Sequence, residues 1–183
     1  MRESNQYTRK KEPELNRQSI IDAATDIGSE TDWSQVTFQA IADRIGLSKG
    51  GIIHHFWNKE ELLDELMSES LAELTNWIER YKKEHPDKEG ATAYLDFVLN
   101  ERKDESYKKT MRIVLQAILV NPKYRTEWNK WYNKHIIPPE GEMSAKSLAI
   151  YLIADGIWYG ENMNSHTYSE KDKKRIMNYV KTL

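Results

Sequence analysis

The chain contains no cysteine, which removes disulfides, thiolate metal sites and a cysteine nucleophile together. It has no apolar run near the roughly 18 residues that a bilayer-spanning helix requires. Its first residues lack the charged, apolar and small-residue order of a signal peptide. A soluble, cytoplasmic protein that does not enter a membrane is therefore expected. Alternation of period two, internal repeats and low-complexity tracts are also missing, which leaves little room for strands. No GxGxxG, GxxxxGK(S/T) or HExxH occurs, so the common nucleotide and metalloprotease signatures are absent. The adjacent His54 and His55 would point to different sides of a helix, poor spacing for metal ligation, and His135 and His166 stand alone. No enzyme, metal site or cofactor is expected. A surplus of positive charge is lacking too. The formal net charge is -2, and residues 1 to 60 hold 8 Lys+Arg against 9 Asp+Glu, a net of 8 − 9 = −1. A nonspecific nucleic-acid binder would be basic. A specific one would have to gather its few cations on one face and leave Asp22, Asp26, Glu30 and Asp32 on another.

What is present is concentrated between Thr37 and Leu63. Thr37 suits an N-cap, and Ala40, Ile41 and Ile45 share one helical face. Gly46 follows the last apolar position, where a left-handed C′ residue is needed, Leu47 can turn back toward the core, and Ser48 can cap a second helix. Two helices joined by three or four residues cross steeply. This is the geometry of a helix-turn-helix, whose second helix enters a major groove. Lys49 follows the Ser48 cap, and Lys59 follows a second cap at Asn58, with Glu61 three residues on in a capping-box arrangement. A phosphate at each helix start would take backbone N–H donors, a cap hydroxyl and a lysine together; the alternative is that both are ordinary solvated lysines. Gly50 and Gly51 each cost a helix roughly 0.5–1 kcal/mol relative to alanine. Close approach to a ligand would explain them, and so would a loop over 48–52 with the helix starting later.

Ser48-Lys49-Gly50, then His55-Phe56, then Asn58-Lys59-Glu60 resemble the N-terminal domain of TetR-family transcriptional regulators, over residues 14 to about 64. The resemblance implies an all-α fold of about nine helices: an N-terminal three-helix helix-turn-helix domain over residues 1–60, then a helical effector-binding and dimerisation domain over 61–183. It implies a homodimer on a palindromic double-stranded operator, a repressor released by a small molecule. Thr37, Gln39, Ser48, Lys49, Gly50, Gly51, His54, His55 and Lys59 are the candidate DNA-binding residues. One position departs from the family pattern: Ile53 stands where many members place a tyrosine that reaches a phosphate, and His54 beside it is the candidate to replace it.

Ahead of the motif, Ile20, Ile21, Ala24 and Ile27 recur at helical spacing, which predicts a supporting helix over 14–29 that ends near Gly28. The leader over 1–13 carries Arg2, Arg9, Lys10 and Lys11 with few apolar residues and reads as a disordered arm. After residue 58 come predicted helices over 58–84, 91–102, 106–120, 123–137, 144–163 and 169 to the C-terminus. Lys103-Asp104-Glu105, Asn121-Pro122 and a loop over 136–141 separate them. Leu62, Leu66, Leu74, Trp77, Ile78 and Tyr81 make the buried stripe of the first of these. In the penultimate helix Ala145, Ala149, Gly156 and Gly160 would let another helix come close; similar positions in TetR-like proteins form a four-helix dimer interface. Met111, Gln116, Trp128, Trp131, Tyr132, Asp155, Trp158, Tyr159 and Met163 are candidate effector contacts. Apolar lining with a few polar handles suits a small-molecule pocket, and Asp155 or Glu161 would meet a cation with cation–π support. The competing reading of the aromatics is plain core. Two alternatives to the regulator stay open on these residues: a helical adaptor whose turn motif binds protein, and a small helical-bundle enzyme.

Overall fold

The computed structural model describes residues 4–100, 104–139 and 141–183, and among them the secondary structure is helical throughout. Nine α-helices follow in order: α1 (Ser4–Glu30), α2 (Phe38–Ile45), α3 (Lys49–His55), α4 (Lys59–Glu84), α5 (Gly90–Asn100), α6 (Glu105–Val120), α7 (Pro122–His135), α8 (Ala145–Asn162) and α9 (Glu170–Val180). A 3-10 turn spans Trp33–Gln35 between α1 and α2.

Most of these boundaries follow from single side chains. Thr37 Oγ1 accepts the Ala40 N–H at 3.1 Å and starts α2. Gly46 ends it at φ 70°, and the Leu47 N–H returns to the Ala42 carbonyl at 3.1 Å. Asn121 caps α7, with Pro122 at its first position. Ser144 caps α8, and Ser169 with Asp172 forms a full capping box on α9.

The first helix departs from expectation at both ends. Its leader is helical from Ser4 rather than a disordered arm. Low hydrophobicity argues against a packed core, but arginine, lysine, glutamine and glutamate are good helix formers, and a helix that continues from a packed one avoids the cost of nucleation. Arg2 and the side chains of Arg9, Lys10 and Lys11 lie outside the described part of the structure, as do Lys103 of the predicted break and Glu140 of the predicted loop. Gly28 does not end α1, which runs on to Glu30. A Cβ at Gly28 would lie 3.1 Å from Ile113 Cδ1 and 3.2 Å from Trp33 Cε3, so the missing side chain makes room for packing.

The chain divides into two units. The first holds residues up to Ser68 together with Lys109–Ala117 of α6, and the second holds Glu69–Lys108 and Ile118–Leu183. In the first, Ile20, Ile41, Ile52, Phe56 and Leu62 are almost completely buried where α1, α2, α3 and the start of α4 meet. Arg17 lies over the Phe56 ring at 4.5 Å and pairs with Glu65, while Lys109 pairs with Asp26 at 2.6 Å.

In the second unit α5 packs along α8. Eight of the eleven residues of α5 are buried, so it behaves as a core helix rather than an amphipathic one. Its start is forced close to the end of α7: a Cβ at Gly90 would fall 2.3 Å from the His135 carbonyl oxygen. Three of the four indole N–H groups in this unit find side-chain acceptors. Trp77 donates to Asp96, Trp131 to Thr75 and Trp158 to Tyr107, at 3.0, 2.8 and 3.3 Å.

Candidate nucleic-acid interface and effector cluster

The corner from Thr37 to Lys59 is built by caps. Ser48 Oγ accepts the Gly51 N–H at 3.0 Å, which starts α3 at Lys49 and places both glycines inside the helix rather than in a loop. Ile52 alone of α3 is buried, so the helix touches its unit along one edge and leaves the rest outward. Lys49, Gly50 and His54 are exposed, and Gly51 and His55 half-buried. A Cβ at Gly50 would meet nothing nearer than Ser48 Oγ at 3.9 Å, and one at Gly51 the same atom at 3.4 Å. Internal packing gives no reason for these glycines.

The remaining candidates fall differently. Thr37 is exposed and occupied as a cap, and Gln39 is exposed with its amide on Asp43 at 2.8 Å. The His54 and His55 rings stand edge to face, 5.6 Å between centroids. The His55 imidazole titrates lower than usual because burial disfavours its cation, with His54 and Arg17 adding repulsion. Lys59 is not an outstretched cation. Its ammonium donates to the carbonyls of Trp33 and Ser34 and sits 5.2 Å from the Trp33 ring centre. Burial lowers its pKa, and nearby Asp32 partly restores it. The reason is local: the 3-10 turn aims two carbonyls at the start of α4, and the lysine stem covers the indole. Asn58 does cap α4, accepting the Glu61 N–H at 2.9 Å, while Glu61 accepts the Trp57 N–H at 2.7 Å.

Trp57 escaped the sequence reading. Its indole is 77% exposed between buried Phe56 and the Asn58 cap, on the turn that leaves α3. The signal was present in the run Phe56-Trp57-Asn58, since only one of two adjacent aromatics can enter the same core. Ile53 is 39% exposed, so this position offers an apolar surface where a phenol would offer a hydroxyl.

The effector candidates do not form one set. Met111 and Gln116 belong to the first unit, Met111 buried and Gln116 Oε1 accepting the Trp33 N–H at 3.4 Å. Met163 is exposed at the end of α8. The other six lie in the second unit: Asp155, and five aromatics that fall into two groups. Trp128 stacks on Trp131 and on Trp158, 5.4 and 5.8 Å between centroids, and Trp158 meets Tyr159 edge on. Tyr132 and Tyr94 flank Tyr151 at 4.9 and 6.0 Å.

Asp155 sits among these tyrosines. It accepts the Tyr94 hydroxyl at 3.1 Å and that of Tyr151, one helical turn before it. No basic side chain among the described residues forms an ion pair with it. Burial raises its pKa above the usual carboxylate range, and the two hydroxyls only partly oppose this. The same burial, with the neighbouring carboxylate, raises Tyr94, Tyr132, Tyr151 and Tyr159. Glu161, by contrast, already faces Lys173 at 3.6 Å. The Tyr94–Asp155 contact joins residues 61 apart and carried no local signal; Tyr151, four before Asp155, could have been found by helical spacing. No cluster of three or more potential metal ligands occurs among the described residues, and no helix there is long and apolar enough to cross a membrane.

Comparison with known proteins matches both units. Residues 20–66 fit the model of bacterial regulatory proteins of the tetR family, and residues 88–183 that of the tetracyclin repressor-like C-terminal domain. Among relatives, the HTH-type transcriptional regulator BetI of Stenotrophomonas maltophilia (strain R551-3) is 21% identical over 91% of both chains. The class D tetracycline repressor protein of Escherichia coli is 40% identical over 58 residues, covering 32% of this chain and 27% of that one. The solved structure of multidrug binding protein EbrR complexed with malachite green superposes with a TM-score of 0.63 at 16% identity, over 90% of this chain and 96% of its own.

Proposed function

Because the chain belongs to the TetR family of bacterial regulatory proteins, we propose that it is a homodimeric repressor that grips a palindromic operator and releases it when a small molecule occupies its helical body. DNA-binding transcriptional regulation comes with the family. The observation that carries the reading is the start of α3, where Lys49 and Gly50 are exposed and no tight contact requires Gly50 or Gly51 to lack a side chain. In a major groove this edge would bring Lys49 to a phosphate and the Gly50 and Gly51 backbone to the base edges. His54 and His55 would follow on the next turn. Thr37 and Gln39 would meet the flanking strand, and Lys59, with two protons committed internally, would lend its third. Trp57 would lie against sugar.

A twofold dimer would set two such helices roughly 34–36 Å apart, one turn of DNA. The outward side of α8 supports it: Leu148 and Leu152 are 47% and 59% exposed, and a Cβ at Gly156 would meet nothing within 4 Å. Gly160 serves its own chain instead, against Tyr168. Selection of random duplex DNA by the purified protein tests the reading. A palindromic winner is expected; no enrichment, or enrichment of a lone half-site, overturns it.

For the effector, the uncompensated Asp155 among aromatic faces favours an organic cation, which would supply the charge partner and stack on the rings. Tetraphenylphosphonium should raise the melting temperature of the wild type and not of Asp155→Asn; equal protection of both excludes this role. The carboxyl also sets a pH dependence. Its folded pKa is raised, so the folded chain keeps a proton that the unfolded chain loses, and stability falls as pH climbs through that interval. Asp155→Asn should therefore melt higher than wild type at neutral pH, with the gap closing in acid.

A further inference from the structure

The second unit carries a cleft of about 960 Å³ that the aromatic cluster does not line. Its size is at the upper end for small-molecule sites. Three lysines reach it from three places in the chain: Lys82 from the last turn of α4, Lys88 from the connection to α5, and Lys134 from the last turn of α7. The segment Ile136-Ile137-Pro138-Pro139 also lines it, held in a turn by the Gly141 N–H on the Pro138 carbonyl at 2.9 Å. Close approach at Gly90, where α5 passes the end of α7 without a side chain, brings these pieces together.

We propose that this cleft binds a small organic anion with an apolar tail, its charge on Lys82, Lys88 and Lys134 and its tail along the isoleucine and proline wall. Three lysines meet two carboxylates in the lining, Glu89 and Glu142, and the Glu89 carboxylate is tied to the Ser147 hydroxyl at the start of α8, which leaves the lysines as the donors an incoming anion would meet. Each lysine retains unused donors, since an ammonium has three: Lys82 gives one to the His135 carbonyl at 2.9 Å, and Lys88 one to Asp87 at 2.9 Å. Lys82 is also partly desolvated, which lowers its pKa, so an anion beside it would restore what burial takes away. Lysines and apolar side chains in one lining invert the Asp155 cluster, where a carboxylate lies among aromatic rings. The inference goes beyond the regulator reading and does not rest on it.

Calorimetric titration of the full chain without DNA tests it, with octanesulfonate and octyltrimethylammonium as probes of one tail and opposite charge. Octanesulfonate should bind the wild type, and octyltrimethylammonium, titrated into Asp155→Asn so that the aromatic cluster does not take it, should not; equal binding of the two probes to Asp155→Asn overturns the proposal. Lys88→Glu with Lys134→Glu should weaken octanesulfonate at least about tenfold, whereas Lys174→Glu, on an exposed part of α9 outside the lining, should leave it unchanged. No binding of octanesulfonate overturns the proposal, as does equal affinity in the double variant or equal weakening by Lys174→Glu. If the double variant fails to melt cooperatively, Lys134→Gln alone is read instead, with a loss of at least about threefold expected and none overturning the proposal. A failure of operator selection would leave these titrations unaffected, so the two readings fall separately.

Discussion

Helices α3 and α5 both begin with glycine near their first turn, and they do so for opposite reasons. At α5 the glycine is enclosed: a Cβ on Gly90 would lie 2.3 Å from the His135 carbonyl and 2.9 Å from the Ile136 Cα, both backbone atoms that cannot step aside cheaply. At α3 a Cβ on Gly50 has only a cap hydroxyl 3.9 Å away. The fold accounts fully for the first. It does not account for the second, which lowers helix propensity without improving any contact. A residue that the chain's own packing does not need points to something outside the chain.

Substitution can break this comparison. Gly90→Ala should be the most damaging, costing on the order of 3 kcal/mol because backbone must move; urea unfolding that shows under about 0.5 kcal/mol would mean that the close approach relaxes freely. Next, Lys49→Ala should weaken operator binding about tenfold and flatten the dependence of log affinity on log salt by about one, while its unfolding curve stays put. Lys59→Ala sharpens the point: it should change that slope less than Lys49→Ala and lower the melting temperature more, since its ammonium holds the 3-10 turn. The smallest change in stability belongs to Gly50→Ala, a gain of roughly 0.5–1 kcal/mol accompanied by loss of DNA binding. A gain in stability with DNA binding intact would show that α3 has no need of its bare backbone.

Local chemistry made much of the fold legible. Thr37, Gly46, Ser48, Asn121, Ser144 and Ser169 each bond within a few residues, and the helices begin and end where those caps require. The start of α1 was missed because its apolar periodicity begins only at Ile20, whereas the helix upstream rests on propensity. The inward turn of Lys59 was hidden for another reason. Its acceptors are backbone carbonyls 25 and 26 residues earlier, and a carbonyl leaves no mark in the sequence. Distance also concealed the partnership of Tyr94 with Asp155 and the meeting of Lys82, Lys88 and Lys134 at one cleft. In each case the residue types were visible and their neighbours were not.

The bareness of Trp57 gives the molecule an optical probe without labelling. Its indole is 77% exposed, whereas Trp131 and Trp158 are buried and the other three half-covered, so a soluble quencher such as iodide should reach this one first. Shielding of that fraction of the emission when duplex is added would report, in real time, how much of the protein has its recognition corner occupied.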